Sequence, residues 1–250
     1  MRRAHNAAMS CFLPRAAPAA TSSTTATAAL LIAFSSLGAV AAPACPDNRA
    51  ALTERFTSAD CADCWAAAPP GAASTGWLFD WIAPTPQGND APLATAAVAE
   101  ARDRAQRLGG AAPVASQVLV QREPAPRTPG LSLNVHSGPA WNGYFGLQLN
   151  VRGRLPAGST GWLALVEVLP AGSEGSTVER QLLRSVAGPL PLDSAGRPQT
   201  PQLGRTQGLQ HLRALRWPEG AQPTRLQARG WIEGPDGRML AVASDQCAWR

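Results

Sequence analysis

The sequence contains no lysine and only three histidines in 250 residues, so its positive charge comes from arginine. The arginines form no cluster with interleaved aromatic side chains, and that argues against nucleic acid as a partner. The formal net charge is +5. Three of the arginines lie in the first 41 residues, and residues 42–250 therefore carry a net charge of only +2.

The chain also lacks an apolar run that could span a bilayer as a helix, which requires about 20 residues. Its N-terminal apolar run, residues 28–34 (AALLIAF), is much shorter and belongs to a pattern typical of secretory signal peptides. A basic leader with Arg2, Arg3 and Arg15 precedes this run, and an A-x-A cleavage site at 39–41 follows it. The pattern predicts a signal peptide at 1–41 and a periplasmic or secreted protein with no stable membrane insertion after cleavage.

Cysteine is scarce. Four cysteines remain after removal of the signal peptide: Cys45, Cys61, Cys64 and Cys247. An even number in an oxidising compartment indicates two disulfides. Of the three pairings, we predict Cys61–Cys64 with Cys45–Cys247; the second bond would close a loop of about 200 residues, worth roughly 4–5 kcal/mol in the chain-entropy model. Residues 42–44 (APA) form a poor lipobox, which argues against a lipid anchor at Cys45.

The first half of the mature chain has an α/β order of elements. Short apolar runs predict strands at 52–57, 77–82 and 114–121, and small or apolar residues at three- and four-residue steps predict a helix over 91–108. Strand, C-x-x-C, strand, helix and strand in succession predict an α/β domain at 42–122. Residues 123–130 (EPAPRTPG) have the composition of a linker.

The second half reads as an all-β domain. From residue 131 onward, apolar and polar residues alternate with a period of two, and about seven such runs are separated by turn-forming residues. Asn142-Gly143 marks one hairpin. Residues 131–250 are therefore predicted to form an antiparallel β-sandwich.

The C-x-x-C pair, Cys61 and Cys64, is the candidate site. A helix N-terminus stabilises the thiolate of a cysteine, but the carboxylates of Asp60 and Asp63 beside the sulfurs disfavour it. Two interpretations stay open: a closed disulfide that staples a turn, or a redox pair in which Cys61 attacks and Cys64 resolves. In the second case Asp80, on the second predicted strand, is a candidate proton acceptor.

Other site chemistries find less support. A zinc site would need two more ligands, and the remaining candidates, Cys45, Cys247, His136 and His211, do not have finger spacing. Residues 172–176 (GSEGS) lack the spacing of a nucleophile elbow. We predict no metal and no cofactor.

The segment FTSADCADC at 56–64 resembles the E-L-F-T-S-Q-G-C-S-S-C signature of a secreted bacterial family, domain of unknown function 1223, whose N-terminal domain is thioredoxin-like. Residues 79–81 (FDW) and 88–92 (GNDAP) are similar to that family's H-V-D-Y-W strand and W-K-D-P-F turn. Residues 163–170, 178–190 and 226–243 are similar to its β-rich tail in order and length. This chain departs from the family where C-P-P is replaced by Cys64-Trp65.

The resemblance implies a fold class of α/β plus all-β, in which a reduced thioredoxin-like domain at 42–122 is followed by the antiparallel β-sandwich at 131–250. The predicted function is that of an exported envelope protein, non-catalytic or weakly redox-active, with a structural C-x-x-C disulfide. A periplasmic thiol–disulfide oxidoreductase that uses Cys61 and Cys64 is the alternative. A protein partner stays open, with none identified.

Overall fold

The computed structural model describes residues 46–68, 76–111, 113–114, 116–192 and 208–247. All of them belong to one unit, Pro43–Arg250. The predicted signal peptide at 1–41 and Cys45 lie outside the described residues, so the signal peptide and the Cys45–Cys247 bond stay predictions.

The first described elements are three strands and two short helices. They are β1 (Leu52–Ser58), α1 (Ala62–Ala66), β2 (Trp77–Ala83), α2 (Glu100–Arg107) and β3 (Gln117–Arg122). The helix predicted over 91–108 begins only at Glu100. Before it, Ala94–Ala96 form a single 3-10 turn, and the chain then runs extended beside β2 at Ala97, where the Val98 N–H donates to the Ile82 carbonyl (3.0 Å). It ends before Gly109, whose φ of +80° suits glycine alone.

Seven further strands follow. They are β4 (Ser132–Trp141), β5 (Tyr144–Arg152), β6 (Thr160–Leu169), β7 (Arg180–Pro191), β8 (Leu209–Arg216), β9 (Leu226–Glu233) and β10 (Met239–Ser244). The hairpin predicted at Asn142-Gly143 is confirmed: both residues have positive φ, and they join β4 to β5.

The strands form two sheets, and the larger one combines strands from both halves of the chain. Its order is β10-β9-β6-β7-β2-β1-β3, whereas the smaller sheet has the order β4-β5-β8. β2 pairs in parallel with β1 on one side and with β7 on the other, where Asp80 lies opposite Leu182. The remaining neighbours in both sheets are antiparallel.

The predicted fold class, a thioredoxin-like α/β domain followed by an antiparallel β-sandwich, is wrong. The β2–β7 pairing makes one mixed sheet from strands on both sides of residues 123–130. The smaller sheet, which has only three strands, packs against this mixed sheet, where the prediction has two antiparallel sheets from residues 131–250 alone. Local periodicity cannot reveal a parallel pairing between residues as far apart as Asp80 and Leu182.

The larger sheet also curls, so that its two end strands meet at one point. Immediately after β3, the Glu123 carbonyl accepts a hydrogen bond from the Met239 N–H (3.3 Å), and the Ala125 N–H donates to the Met239 carbonyl (2.6 Å). Met239 is the first residue of β10. The two ends of the larger sheet are therefore joined by backbone hydrogen bonds only after Gln121, where residues 123–125 meet the start of β10.

The core lies on both faces of β6, which is buried along nearly its whole length. On one face Trp162 stacks on Trp231, with ring centroids 5.6 Å apart, in the cluster that also covers α2. On the other face Leu163 and Leu165 pack against the smaller sheet. A third cluster around Trp65 packs α1 against the chain before α2 and so positions the candidate site.

Candidate functional site at the C-x-x-C turn

Cys61 and Cys64 form a disulfide at the point where β1 gives way to α1, with their Cα atoms 5.2 Å apart. The Cys61 N–H donates to the Ser58 carbonyl (3.0 Å), which turns the chain directly after the strand. The Cys64 N–H donates to Cys61 Sγ (3.3 Å), so that Cys61 caps the helix. Both cysteines are half-buried. The predicted Cys61–Cys64 pairing is therefore present.

The surroundings of the disulfide are acidic. Asp63 lies exposed in the first turn of α1, and no basic residue lies in its last turn. Asp60 is fixed beside the pair, because its Oδ1 accepts a hydrogen bond from Thr85 Oγ1 (2.5 Å). Negative charge next to the sulfurs opposes formation of a thiolate. A helix of five residues has few aligned peptide dipoles to offset this effect.

The C-terminal end of α1 is held by the chain around β7. The Arg180 guanidinium donates to the carbonyls of Trp65 and Ala67, the latter at 2.7 Å. Thr177 Oγ1 donates to the Ala66 carbonyl (2.7 Å). These bonds satisfy carbonyls that a helix end leaves without partners. The disulfide and Arg180 thus fix the two ends of α1.

Trp65 is the one buried residue of α1. Its Nε1 donates to the Glu174 carbonyl (2.7 Å), and its ring lies 4.7 Å from the Arg180 guanidinium carbon. The sequence predicts Trp65 to lie in a loop, as a candidate to line a partner surface, whereas the structure places it, buried, in α1. The position of α1 therefore determines the position of this ring.

Asp80 lies deeper in the sheet than the cysteines. β1 and β2 end together at Ser58 and Ala83, and Asp80 stands opposite Arg55 three positions further in. It is ion-paired with Arg55 and accepts a hydrogen bond from the Gln181 N–H (2.9 Å). Burial raises the pKa of the Asp80 carboxyl, and the charge of Arg55 opposes that rise. The structure thus brings Cys61 and Cys64 together in a disulfide. The Asp80 carboxylate instead pairs with Arg55 and the Gln181 N–H within the sheet.

A cavity of about 310 Å³ lies beside α1. Trp65, Ile82 and Leu93 provide apolar lining, and Glu174 and Glu219 are among its polar lining residues. Glu219 is exposed. The cavity therefore combines an aromatic wall with carboxylates that solvent can reach.

Arg184 also lines this cavity, but its charge is already compensated. Its Nε donates to Glu167 Oε2 (2.7 Å), and its Nη2 lies 3.0 Å from Glu174 Oε1. Two carboxylates thus share one guanidinium, and Glu219 adds a third negative charge. Among the residues that line the cavity, the carboxylates therefore outnumber the guanidinium groups.

A second charged network lies within the core and was not anticipated from the sequence. Arg104 donates to both carboxylate oxygens of Glu54 (2.8 and 2.6 Å) and lies 2.6 Å from Glu233 Oε1. Arg122 lies 2.5 Å from the same oxygen of Glu233. Two arginines balance two glutamates, so the network is structural. In the sequence, the one indication of this network is Glu54, a charged residue within the apolar run 52–57 that predicts β1.

The pKa values in this network follow from the pairing. Burial alone would lower the pKa of the Arg104 guanidinium, but the charges and hydrogen bonds of Glu54 and Glu233 together outweigh it, and the pKa is raised. Burial alone would raise the pKa of Glu233, but Arg104 and Arg122 outweigh it and the pKa is lowered. Arg104 and Glu233 are therefore both ionised at neutral pH.

Among the residues that the structure describes, no helix is long and apolar enough to cross a membrane, and no group of three or more His, Cys, Asp and Glu side chains is arranged to hold a metal. In comparisons with known proteins, no family model, no curated protein and no solved structure matches this chain.

Proposed function

We propose that this chain is an exported, non-catalytic binding protein in which the Cys61–Cys64 disulfide is structural and fixes Trp65 at the wall of the ligand cavity. The observation that carries the proposal is the fixation of α1 at both ends, by the disulfide and by Arg180, with Trp65 between them. Export is supported by the signal-peptide pattern at 1–41, and a disulfide suits an oxidising compartment.

The proposed ligand is a small organic cation with an apolar body. A cavity of about 310 Å³ is at the lower end of the size range of small-molecule sites, which begins near 300 Å³. Its apolar lining can cover a hydrocarbon or aromatic group, while Glu174 and Glu219 attract a positive charge. An anionic ligand of the same shape would meet the exposed carboxylate of Glu219 and bind more weakly.

The test compares two probes of similar shape, phenethylamine and 3-phenylpropionate, by isothermal titration calorimetry on the mature protein. We expect phenethylamine to bind and 3-phenylpropionate not to bind. Glu219→Gln removes one attracting charge and should weaken amine binding by roughly tenfold, about 1.4 kcal/mol. The matched control is Asp103→Asn, an exposed carboxylate on α2 that does not line the cavity. Equal binding of both probes, or equal effects of both variants, contradicts the proposed ligand class.

Thiol–disulfide exchange is the second candidate, and one observation favours it. The Cys61–Cys64 bond is half-buried, so part of its surface is open to another thiol. In such a reaction an external dithiol would first reduce the bond and leave as a disulfide. The Cys61 thiolate would then attack a target disulfide to form a mixed disulfide, and Cys64 would attack Cys61, which releases the target as a dithiol and re-forms the Cys61–Cys64 bond. The acidic flanks and the five-residue helix weigh against this function, because both leave the Cys61 thiolate poorly stabilised.

A further inference from the structure

The strand β3 lies at the end of the larger sheet, with β1 on one side and no strand of the described residues on the other, so that this edge is open among them. Its residues 117–121 read Q-V-L-V-Q, a sequence that is the same in both directions around Leu119. Leu119 is 42% exposed and Val118 is 36% exposed. An apolar, symmetric strand therefore lies at a sheet edge.

The pairing with β1 determines which backbone groups of β3 point outward. The Ser58 N–H donates to the Ser116 carbonyl, in register with the β1–β3 ladder. Because hydrogen-bonded pairs alternate along an antiparallel ladder, Val118 and Val120 also bond to β1. The groups of Gln117, Leu119 and Gln121 consequently point outward.

The same alternation is visible further along the chain. The outward groups of Glu123 and Ala125 are the ones that bond to Met239 of β10. Among the described residues, no strand pairs with the outward groups of 117–121. The open edge thus has defined ends: it begins where β3 begins and stops where β10 arrives.

Open edges in natural proteins are usually protected by a charge, a proline or a bulge, which prevents pairing with another chain. Residues 117–121 contain no charge and no proline, and the β1–β3 register runs through them without a shift. In this strand the usual protection is missing. The edge is suited to accept another strand.

We propose that a second copy of this chain pairs with this edge, antiparallel, about a two-fold axis at Leu119. Leu119 of each copy would face Leu119 of the other, and Gln117 would face Gln121, each pair exchanging both backbone hydrogen bonds. Val118 would lie opposite Val120 in the closer, non-hydrogen-bonded pairs. This register requires the backbone groups of Gln117, Leu119 and Gln121 to point outward, and the pairing of β3 with β1 orients them in that way.

A second copy suits this edge better than an unrelated partner because the strand is self-complementary. The two-fold axis brings identical uncharged side chains together, so no like charges meet. Glutamine faces glutamine, and an amide provides both a donor and an acceptor. The exposed surfaces of Val118 and Leu119 would be removed from water on both copies.

The test measures the mass of the mature protein by analytical ultracentrifugation over a concentration series. The wild-type protein should form a dimer. Leu119→Lys and Leu119→Glu each place like charges opposite one another and should each weaken the dimer by at least about tenfold. An equimolar mixture of the two variants should restore it, because lysine then faces glutamate. Leu212→Lys, an exposed leucine on β8, is the matched control and should leave the dimer intact.

Restoration in the mixture also shows that each variant is folded, since unfolded chains would not recombine. A wild-type protein that stays monomeric at the highest soluble concentration overturns the proposal. A dimer that survives both Leu119 variants, or that Leu212→Lys disrupts equally, places the contact elsewhere and overturns it as well.

Discussion

At the scale of single residues, the absence of lysine has a structural counterpart in guanidinium groups that are buried among carboxylates and indole rings. The guanidinium carbon of Arg104 lies 4.6 Å from the centre of the Trp162 ring and is bonded to two glutamates. Arginine suits such sites because its planar group can bond in its plane and stack on its faces at the same time. The core therefore depends on charges that remain paired.

The pairing of Glu233 predicts a loss of stability in acid. Its pKa lies below the ordinary value of 4.5, so its contribution is complete above pH 4.5 and is lost as the pH falls through the folded-state pKa. Glu233→Gln should remove this part of the pH dependence. It should also lower the free energy of unfolding at neutral pH by about 3 kcal/mol, because Arg104 and Arg122 then lose a buried partner.

The measurement is urea unfolding of both proteins between neutral and acidic pH. Asp236→Asn is the control, since Asp236 forms an exposed pair with Arg238 in the turn before β10. We expect this control to stay within about 0.5 kcal/mol of the wild type. A Glu233→Gln protein with wild-type stability would show that the network is not held by charge.

At the scale of elements, the individual strands were predictable where apolar runs were short and bounded by turn residues. The runs at 52–57 and 77–82 match β1 and β2 within one residue. The helix over 91–108 was predicted too long, since its small residues at three- and four-residue steps also suit the extended segment at Val98. Sequence alone shows which residues are apolar but not which tertiary bond competes with the helix.

The element that matters most for the site is α1, and its dependence on the disulfide can be measured. The double variant Cys61→Ser/Cys64→Ser should lower the free energy of unfolding by about 2 kcal/mol, the chain-entropy value for a loop of about four residues. Amide hydrogens of Ala62–Ala66 should exchange faster in it, because the N-terminal end of the helix is released.

Asp63→Ser is the matched control, a change of an exposed residue in the same turn that leaves the sulfurs in place. Its free energy of unfolding should stay within about 0.5 kcal/mol of the wild type. If the double variant behaves like this control in both stability and amide exchange, the disulfide does not hold α1.

At the scale of the whole molecule, the two halves of the chain meet in one sheet, which the sequence could not reveal. The parallel contact between β2 and β7 places Asp80 beside Gln181, and the Asp80 carboxylate accepts a hydrogen bond from the Gln181 N–H. The same contact brings Arg180 to the end of α1. The C-x-x-C pair and its acidic flanks were visible in the sequence. The cavity and the anchoring of α1 were not, because their residues come from segments far apart in the chain.

The reduction potential of the Cys61–Cys64 bond in the purified mature protein tests the central claim most directly. It is obtained by equilibrating the protein in thiol redox buffers and quantifying the two cysteines by mass spectrometry. A structural bond should have a potential below about −300 mV, and the protein should not reduce insulin. A potential between about −270 and −120 mV, together with an exchange activity that Cys61→Ser abolishes, would contradict the structural role and establish a redox function.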